Sequence, residues 1–125
     1  MYVSYIIYNL INSRLNVKYS IFIMMFLSTQ VLSGEQTGRV NQLFVRASDG
    51  LTYFTLKDNL PENRPACAKI NYWMIKDENS NVGRMQYSLL LAAQASGKPI
   101  RVVGSNTCSR WSDGEDVDAI IVTGN

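Results

Sequence analysis

The chain contains no histidine. That removes the commonest general base, the Ser–His and Cys–His nucleophile pairs and the usual zinc ligand. Cysteine is almost as scarce. Cys67 and Cys108 are the only thiols, and two thiols without a histidine cannot complete an ordinary structural zinc site. An excess of one charge is also missing beyond the N-terminal segment. From Glu35 onward ten Lys and Arg stand against ten Asp and Glu, so the formal +2 of the whole chain belongs to Arg14 and Lys18. Nucleic-acid binding needs a basic surface that releases counterions, and this balance excludes that class. The apolar run Ile21–Leu27 (IFIMMFL) is too short for a membrane helix, which wants about 20 apolar residues.

What is present first is an export signal. Lys18, the apolar run and the small residues of STQVLSG, near Ser33 and Gly34, make the pattern of a secretory signal peptide. The expected organisation is a leader over residues 1–34 and one exported domain over 35–125, secreted or periplasmic. The first sixteen residues, MYVSYIIYNLINSRLN, are rich in Tyr and Ile and carry Arg14 as their only charge. A start at Val17 gives a compact, ordinary leader and is the expected one; the alternative is an apolar anchoring segment over residues 2–11. In an oxidising compartment two cysteines are expected to pair. Closing a loop of about 42 residues constrains the unfolded chain by about 4 kcal/mol in the entropy model. The alternative, a reactive thiol, needs a nearby base or a helix N-terminus.

The mature segment alternates between strand and turn signals. Arg39–Ala47 is the first strand, with a bulge expected around Asn41–Gln42. Ser48-Asp49-Gly50 is a turn, and Leu51–Leu56 follows at hairpin spacing. After a polar loop, Ala68–Ile75 is a third strand, with Ile70, Tyr72 and Met74 on one face and Asn71, Trp73 and Ile75 on the other. Asp77–Asn81 is rich in N-cap residues and opens a helix, Val82–Ser96. Val82, Met85, Leu89 and Ala92/Ala93 recur at helical spacing and form its expected buried stripe. Gly97 caps the helix and Pro99 blocks its continuation. Ile100–Gly104 and Val117–Thr123 complete the strands. A mainly β chain with one helix, in the order β-β-β-α-β-β, is the order of a five-stranded OB-fold barrel.

Two stretches carry a family resemblance: Pro65-Ala66-Cys67-Ala68 ahead of the third strand, and LLLAAQASGKPIRVVG across the helix end. Together they resemble small exported OB-fold proteins similar to the B subunits of subtilase cytotoxin and typhoid toxin. The resemblance covers about residues 38–123. It implies a glycan or protein ligand, a homo-oligomer built as a ring of five, and either a catalytic toxin subunit as partner or a free-standing relative with none. In this chain the strand before the Ser48–Gly50 turn starts almost at the expected cleavage site, leaving little extra N-terminal strand, and there is one cysteine pair. The serine-centred sialic-acid site of those subunits finds no residue-by-residue match, so no binding residue is carried over.

Candidate binding residues come from the chain itself. The loops between strands one and two and between strands four and five flank the ligand face of an OB-fold. They bring forward Ser48 and Asp49 from the first loop, and Arg110, Trp111 and Asp113 from the second. Trp111 offers a stacking surface for a sugar ring, with Arg110 as donor and Asp113 as acceptor; the alternative is that it covers the barrel mouth or the disulfide. Tyr53 and Trp73 are the outward aromatics of their strands, available to a ligand or a neighbouring subunit. The acidic cluster Asp113, Glu115, Asp116 and Asp118 matches no calcium loop and reads as a solvated turn. No cofactor, metal or catalytic residue is expected. The competing function is a structural or protein-interaction module of the envelope that binds no sugar.

Overall fold

The computed structural model describes residues 32–124. The expected leader therefore lies outside the described residues except for Leu32–Gly34, and the Val17 start lies wholly outside them. Five strands and one helix follow: β1 (Glu35–Val45), β2 (Thr52–Lys57), β3 (Trp73–Met74), α1 (Asn81–Ser96), β4 (Ile100–Gly104) and β5 (Glu115–Val122). The strands close into a barrel in the order β1-β2-β3-β5-β4. β1 serves two neighbours, pairing with β4 through Glu35–Gly38 and with β2 through Arg39–Val45. The expected bulge is present, because the register steps from Val40↔Leu56 to Gln42↔Thr55 and leaves Asn41 unmatched. β3 and β5 run parallel and touch over only two residue pairs, Trp73↔Glu115 and Met74↔Asp116.

The third strand is shorter than its sequence pattern. Only Trp73 and Met74 pair, and Trp73, Met74 and Ile75 are all buried, so alternation breaks down there. Trp73 enters the core rather than standing outside the barrel. Its indole N–H donates to Gln36 Oε1 at 2.7 Å, which satisfies the one polar atom that burial strands. Around it the core gathers Val40, Phe54, Leu56, Ile75, Leu90, Ile100, Val102 and Val117. Among the described residues no helix is long and apolar enough to cross a membrane.

The helix is capped as its sequence predicts. Ser80 accepts from the Gly83 N–H at 2.9 Å, and Gly97 sits in the left-handed region at φ 66°. Its buried stripe is Gly83, Gln86, Leu90 and Ala93, one residue round from the expected one. Val82 and Met85 are 62% and 60% exposed, and Leu89 and Ala92 also face outward. The first turn explains the rotation. A Cβ on Gly83 would lie 1.9 Å from the Asp77 carbonyl oxygen, so only glycine can face that segment. One turn on, the Gln86 side chain donates to the Asp118 carbonyl at 3.1 Å.

Candidate functional site

The turn between β1 and β2 is built around Arg46. Its N–H donates to the Leu51 carbonyl at 2.9 Å, and its carbonyl accepts from Gly50 at 2.8 Å. The guanidinium then grips Asp49 through two bonds of 2.9 and 2.8 Å. This hydrogen bond from Arg46 holds the Asp49 carboxyl well below the usual carboxylate range. The same guanidinium lies 4.5 Å from the centre of the Trp111 ring, a cation–π contact that joins the two loops flanking the barrel mouth.

The second loop, between β4 and β5, hangs on a buried carboxylate. Asp116 Oδ2 accepts from the Thr107 hydroxyl at 2.7 Å, the Ser109 N–H at 2.8 Å and the Ser109 hydroxyl at 2.5 Å. Its Oδ1 accepts from the Arg110 N–H at 3.1 Å. Burial alone would raise this carboxyl, but the bonds from Ser109, Thr107 and Arg110 together hold it below its ordinary value. The Cys67–Cys108 disulfide, with Cα atoms 6.2 Å apart, staples the same loop to the segment preceding β3. The acidic cluster is thus no solvated turn. Glu115 and Asp116 are fully buried, while Asp118 is exposed.

Outside the barrel, period-two alternation brings a row of aromatics to one face. Phe44 of β1 and Tyr53 of β2 are cross-strand partners whose rings stack 4.6 Å apart at 13°. Tyr53 meets Tyr72 at 5.3 Å and 50°. The Tyr72 hydroxyl donates to Asp113 Oδ1, and burial together with that bond pushes it up to about 12. Tyr53, Tyr72 and Trp111 line a depression of about 100 Å³ with Arg46, floored by Leu51 and Met74.

Of the residues expected at the site, Asp49, Tyr53, Arg110, Trp111 and Asp113 are drawn into one neighbourhood around this depression. Ser48 is exposed at the tip of the first turn and lines no part of it. Trp73 does not belong: its exposure is 0%, against 40% for Trp111. Arg110 and Asp113 act on the protein rather than on open space. Arg110 Nε donates to Glu78 at 2.9 and 3.1 Å, its Nη2 donates to the Asp49 carbonyl at 3.3 Å, and Asp113 accepts the hydrogen bond from the Tyr72 hydroxyl. Sequence reasoning missed Arg46, although its i,i+3 spacing to Asp49 across the turn was a signal for the pair. It also missed Glu78, because nothing local links that residue to Arg110.

A larger depression of about 460 Å³ lies on the other side of the first turn, between Val45, Gly50 and Thr52 and the helix residues Arg84, Tyr87 and Ser88. Tyr87 is its only aromatic, and its carboxylate, Glu78, is already bonded to Arg110 and to the Thr52 N–H. The smaller depression has the chemistry that stacking requires. No protein-family model, curated protein or solved structure matches the chain. The likeness to toxin B subunits therefore rests on its two sequence stretches alone.

Proposed function

We propose that this chain is an exported OB-fold module that binds a neutral saccharide on the aromatic outer face of its barrel, beside the loop that carries Trp111. The closure order β1-β2-β3-β5-β4, with α1 between β3 and β4, supports the OB-fold reading. The disulfide supports an oxidising compartment, secreted or periplasmic. One observation carries the ligand class: the Tyr53–Tyr72–Trp111 depression is aromatic, and the charges around it are already paired. Arg46 is taken by Asp49, and Arg110 by Glu78. A sugar ring stacks on such a surface without needing a counter-charge, whereas an anionic ligand would have to break an existing ion pair.

An array carrying both neutral and sialylated glycans tests this. The oxidised domain is expected to bind neutral glycans, and Trp111→Ala to lose at least about tenfold in affinity, or about 1.4 kcal/mol. Its melting temperature should hardly change, because the lost ring is partly exposed. A collapse in melting temperature would make Trp111 a structural cover instead.

A second reading, assembly through protein contacts, is favoured by the outward stripe of Val82, Met85 and Leu89 on α1. It expects a mass several times that of the monomer by light scattering, falling to the monomer in Met85→Asp. A ring of five would give the saccharide site multivalency and make room for a catalytic toxin subunit as partner. A monomer in the wild type would remove the assembly reading and leave the saccharide site unaffected.

A further inference from the structure

Gly34 is held more tightly than any leader residue should be. Its N–H donates to Glu115 Oε1 at 3.0 Å, and its carbonyl accepts from the Gly104 N–H at 2.7 Å. The site admits no side chain: a Cβ would meet Glu115 Oε2 at 2.1 Å and Arg64 Cγ at 2.9 Å. Glu115 is fully buried at the joint between β3 and β5, and it also accepts from the Asn106 N–H at 3.0 Å. Arg64 Nε faces its other oxygen at 3.4 Å. One residue upstream the environment changes, with Ser33 half-buried and Leu32 exposed.

We propose that export processing cuts the Ser33–Gly34 bond and that the new α-ammonium of Gly34 becomes a buried partner of Glu115. This rests on the reading of the N-terminal segment as a signal peptide. Ser33 is the small residue such a peptidase requires before the cut, and Val31 stands at the third place before it. Water adds across the amide: the Ser33 carbonyl carbon takes the hydroxyl, the Gly34 nitrogen takes a proton, and at neutral pH the amine binds a second. Cutting one bond later would remove Gly34 and leave Glu115 short of a donor. Cutting several residues earlier would leave an amide N–H, not an ammonium, beside the carboxylate. Because Gly34 is buried once the barrel closes, the cut precedes folding. The leader then leaves behind a charge that completes the β3–β5 joint.

Burial and the Arg64 guanidinium pull the amine's pKa down, and the Glu115 carboxylate pulls it up. The direct contact with Glu115 is expected to win, so that the value rises above the usual one of about 7.7–8.0. A raised folded-state value gives stability that is full below the unfolded pKa and lost as pH rises through the folded one. A rise of about one unit reads as a fall of about 5–11 °C in melting temperature across that range.

The full chain is expressed in bacteria, and the exported product is examined by intact mass and N-terminal sequencing. A product beginning at Gly34 is expected. Any other start overturns the inference but leaves export standing; an uncut chain overturns both. Melting is then followed from neutral to alkaline pH for this product and for a chain with one extra residue ahead of Gly34. The extended chain keeps the N–H but moves the ammonium away, and its melting curve is expected to lose the alkaline fall. Identical pH profiles would overturn the pairing with Glu115.

Discussion

Glu115→Ala is expected to lower the free energy of unfolding by about 3–5 kcal/mol, the range seen when one member of a buried ion pair is removed. Three donors lose their acceptor at once: the Gly34 N–H, the Asn106 N–H and the Arg64 guanidinium. Arg64 cannot shed its charge. Its side chain is only 8% exposed, stacks 4.6 Å over Trp73 and donates to the carbonyls of Ile70 and Tyr72. The substitution would therefore leave a cation in the wall of the core beside an empty volume. Urea unfolding of the two proteins measures the difference. Asp58→Asn, which breaks the exposed pair with Arg39, should barely move the transition. If the two variants lose equally little, the Glu115 joint is not what holds β3 against β5.

Removing the disulfide, as Cys67→Ala with Cys108→Ala, is expected to cost about 2–5 kcal/mol, because cross-linking residues 41 apart constrains the unfolded chain. The cost should fall on stability more than on the site. The loop bearing Trp111 keeps a second anchor in Asp116, whose four bonds to Thr107, Ser109 and Arg110 do not depend on the sulfurs. Saccharide affinity at a temperature where the variant stays folded should then remain within a few-fold of wild type. A large loss of affinity in the folded variant would mean that the disulfide, not Asp116, shapes the loop.

The strand order and the helix were legible because their signals are local. Alternation in Leu51–Leu56 sent Phe54 inward and Tyr53 outward, and Ser80, Gly97 and Pro99 bounded the helix. The face of the helix was not legible. Counting apolar residues buries Val82, Met85 and Leu89, yet burial goes to the residues that fit a backbone carbonyl at Asp77 and an acceptor at Asp118. Distant partners decided those positions. Trp73 and the acidic cluster failed for the same reason. A buried Trp becomes tolerable through Gln36, and buried Glu115 and Asp116 through Gly34, Arg64, Thr107 and Ser109. All of these lie beyond any local window except Thr107 and Ser109, whose role appears only once the loop is closed. The site residues on turns were easier to find, since the turn chemistry of Ser48-Asp49-Gly50 and the loop around Trp111 is written in short spacings.

The two tryptophans make the central claim measurable in one titration. Trp73 is sealed in the core and Trp111 borders the depression, so a saccharide entering the site should change the emission of one and not the other. Titrating the oxidised domain with a neutral oligosaccharide taken from the array is expected to give a saturable blue shift that Trp111→Phe removes. If the glycan binds and the emission of Trp111 stays constant, the saccharide sits elsewhere on the barrel and the proposed site is wrong.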